Sequence, residues 1–271
     1  INDVPCRFNC FAQEIIQHDD QVEVIFNDGS AECFDLVIGA DGLHSSTRKL
    51  TFKDDEYSVN NLGIYLSVFS TNNHWELDHA SLFCENEHKS IYIESDHNPD
   101  EALVGLMFKT SENITSIKTQ KEVIQCLNHV FRDFKWQTDT IFSCLNHDSD
   151  LYFDSASQVK MPSWSKNRVT LVGDAGYCAS PLSGQGTSLA LVGAYILAGE
   201  LKLLANNHEE AFKQYHNKMR PYVEKNQAIG AWVSEFYLAQ DEPDPEKIEK
   251  RNQDIMIQLR EAASSITLPV Y

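Results

Sequence analysis

Residues Arg168 to Leu204 read RVTLVGDAGYCASPLSGQGTSLALVGAYILAGELKLL and pass from strand to loop to helix without spare residues. Val169 to Val172 is a short apolar, β-rich run ending in Gly173-Asp174, the pattern of a central parallel strand with a carboxylate at its carboxyl end. In open α/β sheets that end faces the ligand crevice. The loop Ala175 to Gly186 carries Pro181, Gly184 and Gly186, and two glycines just ahead of a helix let a flat ligand approach the backbone. From Thr187 to Gly199 nearly every residue is apolar or small. That predicts a helix covered on all sides, whose first free N–H groups point back at the loop. A helix end that favours anions then lies beside a carboxylate. The pair suits a ligand with a hydroxyl-bearing chain for Asp174 and a ring of delocalised negative charge for the helix. The plainer alternative is a buried strand-turn-helix in which Asp174 only caps.

A second stretch repeats the arrangement. Phe34 to Gly39 is an apolar run expected to form another buried strand, and it ends in the turn Ala40-Asp41-Gly42, followed by Ser45, Ser46 and Arg48. Gly42 frees the backbone, Ser45 or Ser46 suits a helix N-cap, and the forked guanidinium of Arg48 suits a carboxylate or phosphate. A capped helix with a surface arginine explains this stretch taken alone.

Two apolar strands each ending in an Asp turn carry a resemblance. CFDLVIGADGLHSSTRKL resembles the DG motif, and RVTLVGDAGYCASPLSGQGTSLAL the GD motif, of the class A flavoprotein monooxygenases of the para-hydroxybenzoate hydroxylase type. The resemblance implies an α/β fold: a three-layer, doubly wound FAD-binding domain, partial here, with an inserted antiparallel-sheet substrate domain and C-terminal helices. It implies FAD reduced by NAD(P)H, reaction with O2, and hydroxylation of a small aromatic or polyketide-like organic substrate. By position, Gly173 and Asp174 belong to the ribityl or ribose contact. Pro181, Gly184, Gln185 and Gly186 line the flavin ring, and Asp41 and Arg48 take part in FAD and nicotinamide handling. A flavin that carries the reaction also accounts for the lack of a visible nucleophile–base pair, so no catalytic residue is assigned.

Two departures stand out. The GxGxxG fingerprint of the family's N-terminal segment is missing, its nearest match being Gly184-Gln-Gly186-Thr-Ser-Leu189 after a loop, and Gly176-Tyr177 replaces the more usual Ala-His. The chain also opens at Ile1 on the approach to a strand, so it reads as the later part of something longer. The second reading is therefore a non-catalytic, truncated fragment that binds substrate but not FAD. A hydrolase would need GxSxG, and Leu182-Ser183-Gly184 lacks its first glycine.

Working outward, residues 1–50 are assigned to the first part of the FAD domain, 51–160 to the substrate sheet, 161–206 to the second part of the FAD domain and 207–271 to C-terminal helices. Asn9 to Phe26 reads as two strands, with Asp28-Gly29 as a turn. Leu62 to Thr71, Ile91 to Ile93 and Ala102 to Phe108 alternate as strands with one covered face. Tyr65, Phe69, Phe83, Tyr92 and Phe108 are candidates for a pocket or for plain core packing. Thr119-Gln-Lys-Glu122 is a capping box opening a helix. A long helix from Glu209 to Gln240, bent at Pro221, and a last one from about Glu246 to Ala262 follow.

The 271 residues are 42% hydrophobic, enough for a packed core, and carry a net charge of -18. That balance argues against nucleic acid and anionic membrane surfaces as partners. The run from Thr187 falls short of the ~20 residues of a bilayer span, so no integral membrane segment is expected. Seven scattered cysteines without CxxC read as reduced, mostly buried thiols of a cytoplasmic protein, and ten dispersed histidines without HExxH give no metal site.

Overall fold

The computed structural model describes residues 4–86, 88–112, 114, 117, 119–145, 150–205, 207–236 and 245–271. In chain order the strands are β1 (Ala12–Gln17), β2 (Val22–Phe26), β3 (Ala31–Phe34), β4 (Val37–Gly39), β5 (Ser58–Asn72), β6 (Ala80–Asn86), β7 (Lys89–Ser95), β8 (Glu101–Lys109), β9 (Tyr152–Lys160), β10 (Ser165–Lys166) and β11 (Val169–Leu171). The helices are α1 (Ser46–Thr51), α2 (Gln120–Val130), α3 (Thr138–Cys144), α4 (Asp174–Tyr177), α5 (Gly186–Leu203), α6 (His208–Phe236) and α7 (Pro245–Ala263), with a 3-10 turn at Pro181–Ser183.

The chain forms two compact units, residues 1–60, 157–231 and 254–271 in one and 61–156 and 232–253 in the other. The expected break at residue 50 thus falls at 60. The C-terminal helices are no separate segment, because the second half of α7 returns to the first unit. The end of the long helix expected at Gln240, with the rest of the stretch 237–244, lies outside the described residues.

The first unit holds an antiparallel sheet, β1-β2-β3, and a second sheet of order β10-β11-β4 in which β11 and β4 run parallel. The run from Phe34 to Gly39 is therefore two strands in two sheets. Phe34 pairs with Val22, while Val37 to Gly39 pairs with Val169 to Leu171. It is not uniformly buried either: Phe34 is 37% and Ile38 47% exposed. A break at Asp35-Leu36 lets the chain change partners, which an apolar run does not reveal. The main core of this unit gathers Trp164, Leu171, Tyr177, Leu189, Ile196, Phe212, Tyr215, Met219 and Val223.

Helix α5 departs from the expected all-round cover. Its buried face carries Leu189, Gly193, Ile196, Leu197 and Glu200, but Leu191 is 67% and Tyr195 44% exposed. Of that stripe Tyr195 meets the C-terminal residues, its hydroxyl donating to the Pro269 carbonyl at 2.9 Å and its ring lying 5.5 Å from that of Tyr271, and composition alone does not say which faces of a helix have neighbours. With a mean hydropathy of 1.2 over 18 residues, α5 is the one described helix long and apolar enough to cross a membrane. The thiols also differ from expectation: only Cys178 is buried, and Cys6 and Cys33 are exposed, Cys33 lying on β3, whose residues face mostly outward.

The second unit is built on a sheet of order β6-β7-β8-β5-β9, whose strands β6, β7, β8 and β5 pair antiparallel. Helix α2 opens with the expected capping box: the Glu122 amide donates to the Thr119 hydroxyl and the Thr119 amide to the Glu122 carboxylate. Its apolar stripe, Val123 and Leu127 with Phe131 just beyond, meets one face of the sheet.

Candidate functional site

Strands β4 and β11 are adjacent and parallel, so their Asp turns emerge at the same edge of the sheet. After β4, Gly42 takes φ +76° and Ser45 caps α1 by accepting the Arg48 amide at 2.9 Å. The Asp41 carboxylate is spent on the same helix start, accepting from the Ser45 hydroxyl at 2.5 Å and the Thr47 amide at 2.8 Å. Partial burial pushes its pKa up, but these bonds outweigh it and hold the carboxyl below its usual range.

Arg48 is 1% exposed. Its Nη1 donates to the Ala175 carbonyl at 2.7 Å and its Nη2 to the Leu43 carbonyl at 2.6 Å, with the guanidinium 5.1 Å from the centre of the Tyr57 ring. Burial lowers its pKa. The surface arginine of the plainer reading is thus a buried clamp joining the two Asp turns. Close approach is possible because position 39 is glycine: a Cβ there would lie 2.7 Å from both the Leu171 and Thr47 side chains.

Past β11, Gly173 takes φ +65°, and a Cβ on it would lie 3.2 Å from that of Ala190, so both backbone and packing call for glycine. Asp174 opens the single turn of α4. Burial pushes its carboxyl up, opposed by a hydrogen bond with the Cys178 thiol, and no ion pair engages it among the described residues. The 3-10 turn Pro181–Ser183 ends on Gly184 at φ +61°. A Cβ on Gly184 or Gly186 would meet nothing within 4 Å. Gln185 is the N-cap of α5 but makes no side-chain cap. The first intrahelical bond is Leu189 N–H to the Gln185 carbonyl, leaving the amides of Gly186, Thr187 and Ser188 without a partner among the described residues.

A half-buried carboxylate without a cation, three free amides and open space before two glycines fit the ribityl and ring half of FAD. A cavity of about 420 Å3 lined by Ser165, Asn167, Lys213 and His216 lies instead at the opposite end of β11.

In the second unit, register sorts the candidate aromatics. Tyr65 pairs with Phe108 and Phe69 with Val104, and all these side chains lie in the core with Leu127, Phe131 and Ile141. Phe83 pairs with Tyr92 and Tyr92 with Gly105, which places Phe83 and Tyr92 on the other face with Leu66, Val68, Leu103 and Met107. The Tyr92 ring occupies the space beside Gly105, where a Cβ would be 1.8 Å from it. Phe83 is 60% exposed. Ser90, on the same face, is 1% exposed, and its hydroxyl has no partner among the described residues.

The class of protein is shown by comparison with known proteins: a flavin-binding oxidoreductase. A profile for the FAD binding domain matches residues 4–228. The chain belongs to the FAD-dependent monooxygenases. It is 47% identical over 271 residues to a flavin-dependent monooxygenase of Legionella longbeachae, covering 100% of this chain and 70% of that one. The crystal structure of tetracycline destructase Tet(51) superposes with a TM-score of 0.92 at 46% identity, over 100% of this chain and 72% of that one. Klebsiella pneumoniae HpxO, solved with FAD and uric acid, shares the fold with a TM-score of 0.69 at 16% identity, over 93% and 64% of the two chains. Nothing found favours the reading as a non-catalytic fragment.

Sequence reasoning placed Asp174 and the loop glycines at one site. It missed the buried face of Arg48 and the glutamines that brace the loop, described below, because their partners are distant in the chain.

Proposed function

We propose that this protein oxygenates a fused-ring polyketide of the tetracycline type, using FAD, NAD(P)H and O2. The observation that carries the cofactor half of this reading is the half-buried Asp174 carboxylate beside the free amides of α5. FAD supplies hydride acceptance from the nicotinamide and activation of O2, one oxygen atom entering the substrate and the other leaving as water. In this reading Asp174 accepts hydrogen bonds from ribityl hydroxyls, and Gly173 shapes the turn that carries it. Gly184 and Gly186 admit the ring, Pro181 and Gln185 line it, and the amides of Gly186, Thr187 and Ser188 stabilise negative charge on it. Asp41 and Arg48 hold the two turns in register rather than touching the ring.

The substrate class rests on similarity to Tet(51) and on the apolar sheet face of Leu66, Val68, Phe83, Tyr92, Leu103 and Met107, which offers aromatic and aliphatic surface to a flat molecule. The cytoplasm, where NAD(P)H is kept reduced, is the compartment the reading requires. The test is to load the protein with FAD and supply NADPH, 18O2 and tetracycline. Substrate-stimulated NADPH consumption and one 18O atom in the product are expected. A protein that binds FAD yet leaves tetracycline unchanged overturns the substrate class, and one that does not bind FAD overturns the site.

A further inference from the structure

Between α4 and α5 the chain passes through Ser180, which takes φ +75° and ψ 147°, a region that side-chain-bearing residues rarely occupy. Ser180 is 3% exposed, and its strained geometry sets the loop that follows. The Ser180 carbonyl accepts from the Ser183 amide at 3.1 Å and the Ser183 hydroxyl at 2.8 Å, and its own hydroxyl accepts from the Leu182 amide at 3.3 Å. The Gly184 amide then donates to the Pro181 carbonyl at 3.0 Å. Strain of this kind persists only where the surroundings over-determine it.

Two buried glutamines do so. Gln158, 1% exposed, donates from Nε2 to the Ala179 carbonyl at 3.2 Å and to the Gln227 carbonyl at 2.6 Å. Gln227, 7% exposed, donates from Nε2 to the Val159 carbonyl at 2.7 Å and the Cys178 carbonyl at 3.2 Å. The Val159 amide also donates to the Cys178 carbonyl at 3.1 Å. The last two carbonyls before Ser180 are thus each held by a buried amide group, one on β9 and one on α6. Gly230, one turn on along α6, completes the fit, since a Cβ there would lie 2.4 Å from the Ala179 carbonyl. A glutamine in a core must satisfy its polar atoms or be costly, and apolar packing would not need two of them on consecutive backbone carbonyls.

We propose that Gln158 and Gln227, with Gly230, are positioning residues that hold Ser180 in its strained conformation and so fix the loop Pro181–Gly186 for the flavin ring. This rests on the reading of that loop as ring-facing. The variants are Gln158→Met and Gln227→Met, which keep side-chain length and remove the donors. Ser180→Gly relaxes the same turn from within.

The first measurement is amide exchange in the FAD-free chain. Loss of the hydrogen bond to the Ala179 or the Cys178 carbonyl should speed exchange of the Ser183 and Gly184 amides roughly tenfold in each Met variant, with Ile196 and Leu197 in α5 still protected. Unchanged exchange at Ser183 and Gly184 overturns the clasp, and loss of protection throughout α5 assigns the glutamines to general stability, which also overturns it. The second measurement is the visible spectrum and dissociation constant of bound FAD. A shifted flavin band with roughly tenfold weaker binding is expected in both Met variants, and a smaller change of the same sign in Ser180→Gly. If the loop loosens while spectrum and affinity stay as in the wild type, the loop does not face the ring. In that case the ring-facing reading fails and the positioning role with it, while the exchange result shows that the clasp itself was described correctly.

Discussion

Replacing Gly193 by alanine places a methyl group in the buried face of α5, 1.9 Å from the Tyr177 hydroxyl oxygen. The ring must then move by more than 1 Å, roughly the shortfall from van der Waals contact. Tyr177 is 1% exposed, wedged 4.6 Å from the Trp164 ring centre, and its hydroxyl pairs with that of Tyr215 at 3.0 Å. Overpacking of this kind costs about 1–3 kcal/mol, and loss of the buried hydroxyl pair adds about 1 kcal/mol. The alanine returns about 0.5–1 kcal/mol through the entropy of the unfolded chain. The net expectation is a loss of about 2 kcal/mol, a drop in the thermal midpoint of roughly 4–8 °C for a protein of this size.

The same substitution at Gly186 is the control, because its Cβ meets nothing within 4 Å. Without FAD it should be neutral or stabilising by up to about 1 kcal/mol. Adding Tyr177→Phe to Gly193→Ala removes the clashing oxygen and leaves the Tyr177 Cζ position as the nearest ring atom at 3.2 Å. The double variant should therefore be more stable than the sum of the single effects by about 1 kcal/mol, read by urea unfolding. Strict additivity, or a Gly193→Ala protein as stable as the wild type, would refute the packing argument.

Two further outcomes follow from the Asp turns. Burial raises the Asp174 pKa in the folded state, so its contribution to stability is full below the unfolded-state pKa and is lost as pH rises through the folded one. Asp174→Asn should make the FAD-free protein more stable than wild type at pH 7, with the two curves meeting below about pH 4, and should weaken FAD binding at least about tenfold. Equal FAD affinity by titration would remove Asp174 from the site. Arg48→Lys leaves one ammonium to serve two carbonyls and should cost about 2 kcal/mol in urea unfolding. Unchanged stability would show that the bonds to Leu43 and Ala175 do not hold the turns together.

What the sequence determined on its own is what the backbone needs locally. An Asp turn after an apolar strand, a Thr119-to-Glu122 capping box, Gly42, Gly173 and Gly184 at positive φ, and a helix start before Thr187 all depend on residues within a few positions of one another. Short-range sterics and hydrogen bonds set them, so they can be read without knowing the fold. Tertiary structure decided everything that depends on who lies opposite. Register parity sent Tyr65 and Phe69 into the core and Phe83 and Tyr92 to the other face, and a two-residue break divided Phe34 from Val37 between two sheets. Arg48 found carbonyls at positions 43 and 175, and Gln227 reached back to Val159 and Cys178. Apart from Arg48 to Leu43, these contacts join residues 49 to 127 positions apart. They form only because buried polar groups must find partners in the space left once the sheets and helices have packed.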